Sequence, residues 1–364
     1  MCIICDGKYD ENADRLVCCR CDRIKEFPSE PSNLTVLKTY SCINLEKIPI
    51  ITSLVELHCN TCINLKEIPE LPNLTVLDCS NTRVTSLPDL PKLESLYCTN
   101  TDLITIPAYK NLTFLFCANS AKLTEIPALP NLVTLFCGNC SSLTTISSDL
   151  SKLEKLSCFG CYVLNVIPAL PNLLHLDCSH TAIEEIPMLS KLRSLTCSFC
   201  PNVTTIPKFP NLKILLCSFC GIQEIPNLEQ VEEIFCQNCN HLTEISNLPK
   251  LANLTCTNCS SLTRIHTVPE LKCLICGDCT RMTEAPANIS IVMSSNCPWL
   301  KTYCFEYESN VQKLVWLQRF CKNNLMYWRF RRWTKSREFA EWFYSPNQWG
   351  GRACKRMIEK SLEN

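Results

Sequence analysis

At one recurring spacing between Cys18 and Cys279 the chain writes C-x-x-C nine times, CCRC, CNTC, CGNC, CFGC, CSFC twice, CQNC, CTNC and CGDC, with a tenth, CLIC at 273–276, overlapping the last. Two thiols at that spacing can make a redox pair or half of a zinc site. No single chemistry needs nine copies, so the spacing asks for a structural cause first. Metal is the first rival, and substitutions within the series count against it. Thr82, Thr101, Thr181 and Ser120 stand where the second Cys is due. Hydroxyls are poor zinc ligands but good hydrogen-bond donors, so the pattern predicts packing and hydrogen bonding.

Other catalytic chemistry is thinly represented. The five histidines (His58, His175, His180, His241 and His266) are scattered and have no recurrent Asp or Ser partner. His175, Asp177 and His180 lie close together, which surface variability accounts for. The seven glycines include no phosphate-cradling loop. The chain is expected not to be an enzyme.

The 364 residues are 46% hydrophobic and 19% charged, enough apolar material for a core. The start, MCIICDGKYDENAD, has no basic segment followed by a long apolar run, and no later stretch reaches membrane-spanning length. A soluble, cytoplasmic protein with reduced thiols is the expectation. Charge is unevenly spread. Residues 310–364 hold 12 Lys/Arg against 4 Asp/Glu, the rest of the chain carries a net −8, and all six tryptophans lie between Trp299 and Trp349.

The elements that must position the cysteines are written in a repeat of about 20 residues, L-x-x-L-x-C-x-x-C/T-x-L-x-x-I-P-x-L-P-x. Fifteen units carry their central apolar residue at Leu16, 37, 57, 77, 96, 115, 135, 156, 176, 195 and 215, then Ile234, Leu254, Leu274 and Val292. A fixed period of this size means a solenoid, since one unit cannot bury its apolar face alone. The L-x-x-L-x-C segment alternates like a short strand with Leu and Cys inward. Successive strands about 4.8 Å apart would build a curved parallel ladder of roughly 70 Å. In eleven units Pro follows the return-leg Ile, or the Phe27, Leu87 or Ala285 in its place. That favours extended, polyproline-like returns on the convex side.

These units resemble the leucine-rich repeat family, L-x-x-L-x-L-x-x-N-x-L, over residues 14–304. The short form with "IPALPNL" returns is closest to that of bacterial effector proteins. Cysteine takes the third Leu position in thirteen units, and Cys, Thr or Ser the usual Asn position. The resemblance implies a side chain there that bonds to the backbone of adjacent coils. A thiol can make a weaker version of that bond. Such effectors often append a large ubiquitin-ligase domain, for which about 60 residues after the repeats leave too little room. A looser resemblance joins the Cys-rich repeats, the MCIIC start and the "SREFAEWFYSPNQWGG" ending to proteins of giant DNA viruses. It implies work in a host cytoplasm.

Residues 1–13 would be an N-terminal cap, where Cys2 and Cys5 with Cys18 and Cys21 could hold one structural zinc. The competing reading places Cys18 and Cys21 in the first repeat with Cys2 and Cys5 packed against it. Residues between the inward positions should line the concave, partner-binding surface. Tyr97, Phe116 and Phe136 fall on consecutive coils and should form a row. Phe114, Phe159, Phe199, Leu216, Phe219 and Phe235 fall at nearby positions, together forming an exposed stripe of the kind an interface core presents. The alternatives are that the rings pack on one another, or that the C-terminal segment folds over them.

Residues 305–364 read as a basic, Trp-rich helical cap, with Leu314, Leu317, Cys321, Leu325 and Trp328 on one face. Arg329, Arg331, Arg332, Lys335 and Arg337, interleaved with Trp328, Phe330 and Trp333, could instead contact nucleic acid or an anionic membrane, or the segment could dock a second protein. The overall expectation is a protein-binding scaffold engaging a host or viral protein. The alternatives are a nucleic-acid- or membrane-associated protein and a substrate-recruiting arm of a ubiquitin ligase complex.

Overall fold

The computed structural model describes residues 13–27, 33–283, 289 and 291–298. The expected cap at 1–13 and basic segment at 305–364 lie outside these residues, apart from Ala13. The middle of every unit is a three-residue strand. Fifteen of them, from Arg15–Val17 to Ile291–Met293, join in chain order into one sheet. Pairing is parallel and keeps the central residue in line from coil to coil, as Leu96 with Leu115 and Leu115 with Leu135. Those leucines are fully buried while the residues on either side face outward. Alternation thus fixes the register, because a one-residue slip would expose the whole row.

The C-x-x-C spacing is the spacing of a tight turn. Cys62 N donates to Cys59 O, and Cys161 N to Cys158 O, both at 3.3 Å. The residue just before the second Cys has a positive φ in all fifteen coils, the backbone a type II turn requires at its third position. Asparagine, which tolerates that conformation, fills it seven times, and Gly160 once. Turning there keeps the ladder going past the strand, since Asn119 N still reaches Gly138 O at 2.8 Å.

Both cysteines of each turn point inward and form two buried columns. The second-column thiol donates to the carbonyl of the first-column residue one coil back. Cys140 reaches Cys117 O at 3.2 Å, Cys220 reaches Cys197 O at 2.9 Å and Cys259 reaches Cys236 O at 2.9 Å. Ser120 makes the same bond to Cys98 O at 3.0 Å. The threonines bend back to their own coil, Thr82 to Cys79 O at 2.6 Å and Thr181 to Cys178 O at 2.7 Å. The expected backbone-bonding role of this position is therefore what the side chains perform.

The return legs depart from expectation in part. Most are extended, but two short parallel ladders form on them, Glu125–Ile126 with Thr145–Ile146, and Glu224–Ile225 through Glu244–Ile245 to Arg264–Ile265. The cause is the absence of proline. Pro127 and Pro226 follow the Ile in the first coil of each ladder, but Ser147, Ser246 and His266 follow it in the later coils and retain an N–H. They donate to Ile126 O, Ile225 O and Ile245 O at 2.9–3.0 Å. Elsewhere Pro removes that donor.

Candidate protein-binding face

Burial mutes thiol chemistry in the first cysteine column, whereas in the second, hydrogen bonds with Cys62 and Cys178 hold the thiols of Cys42 and Cys200 below the ordinary value. Apart from Cys19, every described cysteine is buried. Desolvation pushes the thiols of Cys59, Cys79, Cys98 and Cys158 well above their ordinary value. A protonated, enclosed thiol is a poor nucleophile and a poor metal ligand. Among the described residues no group of three or more His, Cys, Asp or Glu side chains is placed to hold a metal ion. Cys18 and Cys21 occupy the two columns of the first coil, where Cys42 Sγ lies 3.4 Å from Cys18 O and 3.6 Å from Cys18 Sγ. Cys2 and Cys5 lie outside the described residues, as do Arg329, Arg331, Arg332, Lys335 and Arg337.

The outward side of the sheet carries the aromatic residues. Register places Tyr97, Phe116 and Phe136 side by side on consecutive strands. Their rings do not form a simple row. Phe114, at the start of its strand, inserts between Tyr97 (5.1 Å between centroids) and Phe136 (6.1 Å). Phe116 meets Phe136 edge-on at 5.6 Å. All four are half-buried, so the rings brace one another yet keep part of each ring in solvent. Asp78 adjoins Tyr97 on the preceding strand, and Ser157 adjoins Phe136 on the following one.

The remaining expected residues divide. Phe159 is 39% exposed and lies over Gly138, where an added Cβ would come within 2.5 Å of its ring. Leu216 is buried despite its outward position, lying in register between Thr196 and a half-buried Phe235, and is not an available anchor. Phe199 and Phe219 lie beyond the strands, in the left-handed turn column with φ 60°. They stack at 4.3 Å with planes 10° apart, and His180 stacks on Phe199 at 4.2 Å. A bulky residue in that conformation costs about 1–2 kcal/mol, which Asn or Gly largely avoids. His180 was missed from sequence as a member of this group. The available signal was the turn column itself, where Asn recurs and only 180, 199 and 219 carry rings.

The family model described as leucine-rich repeats (2 copies) matches residues 72–111. The functional domain of InlJ from Listeria monocytogenes, which includes a cysteine ladder, matches at TM-score 0.54 and 21% identity. This chain is a leucine-rich repeat solenoid in fold. The InlJ match covers 78% of this chain and 63% of that one, so less than two thirds of that protein's length is spanned. YopM from Yersinia enterocolitica (TM-score 0.46, 21% identity, 78% and 74% covered) and a leucine-rich repeat protein from Bacteroides ovatus (0.45, 16%, 78% and 81%) are weaker likenesses. No curated protein matches the chain. Among the described residues no helix is long and apolar enough to cross a membrane.

Proposed function

We propose that this leucine-rich repeat solenoid is a non-enzymatic scaffold that binds a protein partner on the outward, concave face of its sheet. The observation that carries the reading is the cluster of Tyr97, Phe114, Phe116 and Phe136 on three adjacent strands. Mutually braced rings lose little side-chain freedom on binding, so aromatic anchors of this kind supply much of an interface's energy. The looser resemblance to giant-virus proteins would place the partner in a host cytoplasm.

Partners would be captured from cytosol under reducing conditions and their affinity measured for the wild type and for Phe116→Ala with Phe136→Ala. Loss of two hot-spot rings should weaken binding by about 30-fold or more with little change in thermal stability. Unchanged affinity rejects this face. A second reading, nucleic-acid contact through Arg329, Arg331, Arg332, Lys335 and Arg337, is favoured by the net +8 of residues 310–364. It predicts capture that is lost on nuclease treatment or on truncation to residues 1–309. Recruitment of a ubiquitin ligase would show as a ligase subunit among the captured proteins.

A further inference from the structure

Three coils in succession place a ring at a backbone position that disfavours rings. In the turn column Asn139, Gly160, Asn238 and Asn258 are the economical choices, while His180, Phe199 and Phe219 interrupt them. Phe199 is sandwiched, with His180 on one face at 4.2 Å and Phe219 on the other at 4.3 Å. It is nevertheless 43% exposed, as is Phe219. With both faces of Phe199 covered, what remains in solvent is the ring's edge. The three rings therefore stand as parallel ribs beside the sheet. Between them and the last strand residues Asp177, Thr196 and Leu216 come only the short side chains of Ser179, Ser198 and Ser218. The ribs thus border a strip of small hydroxyl residues.

Ring edges carry the positive part of the aromatic quadrupole and ring faces the negative part, so edges attract faces. We propose that His180, Phe199 and Phe219 form a second docking plate, which receives an aromatic side chain of a protein partner laid flat across their edges. The proposal deepens the scaffold reading by naming chemistry on the partner, and it uses residues separate from the Tyr97–Phe136 cluster. Left-handed backbone at Phe199 and Phe219 is the independent support. Among the described coils this column otherwise holds Asn, Gly or other non-aromatic residues, and only these three consecutive coils place rings in it.

The test uses the full chain and a displayed library of random twelve-residue peptides. Peptides selected on the wild type should be enriched in Trp, Tyr or Phe at one position, and replacing that residue by Ala should cost more than tenfold in affinity. Phe199→Asn with Phe219→Asn should bind them more than tenfold more weakly while melting a few degrees higher, because the left-handed strain is relieved. Recovery of no binder, absence of aromatic enrichment, or equal binding by the double Asn variant overturns the proposal. So does a lower melting temperature of that variant, which would make the stack a packing element. Binding of a single-stranded oligothymidylate in place of peptides would put a nucleobase on the plate and also overturns it. Peptides lost with Phe116→Ala/Phe136→Ala but not with the Asn variant would reject the plate and leave the sheet reading intact.

Discussion

A thiol, a hydroxyl and a second hydroxyl solve one local problem differently at the second turn position. Cysteine and serine reach back a coil, while threonine, whose extra methyl must also be housed, closes on its own coil. Cys140→Ser should therefore keep the bond to Cys117 O and change stability little. Cys140→Val removes the donor and leaves a buried carbonyl unpaired, which should cost about 1–3 kcal/mol in urea unfolding. Burial and raised thiol pKa also make a reactivity map sharp. Peptide mapping after brief treatment with a thiol reagent should find Cys19 modified, and Cys59, Cys98 and Cys158 untouched until the chain is unfolded. Rapid labelling of those three in the native chain would mean the coils open far more readily than their packing suggests.

Between residues and the whole lies the coil, and here the sequence was unevenly legible. Strand centres and register followed from the Leu spacing, because a buried position recurring every 20 residues leaves one way to stack. The short ladders on the return legs escaped notice because their signal is something missing, a proline after Ile146, Ile245 and Ile265. Hydrogen exchange should expose the difference, with amides of Ser147, Ser246 and His266 protected by their bonds to the preceding coil. Fast exchange at all three would show those ladders to be open. The candidate face was half legible. Columns could be counted, so Tyr97, Phe116 and Phe136 were found together. Which ring leans into which gap depends on stagger between strands, and Phe114 could not be placed between Tyr97 and Phe136 by counting. Leu216 misled for a related reason: outward direction does not guarantee exposure when neighbouring side chains close over it.

Among the described residues each strand of the main sheet pairs only with those of the adjacent coils, so stability is a sum of like interfaces rather than the property of one centre. Leu135→Ala, in mid-array, should cost about 2–5 kcal/mol. It should also lower the dependence of unfolding free energy on urea if the array then melts in two sections. An unaltered single transition would mean that cooperativity spans the break. Chain order equal to strand order has a mechanical consequence. Pulled from Arg15 and Met293, the solenoid offers the load no long-range clamp among the described residues, only the outermost seam at either end. It should pay out coil by coil, each release freeing about 20 residues and roughly 70 Å of slack. The force trace would be a sawtooth of nearly even teeth, and the protein a spring that yields gradually instead of snapping.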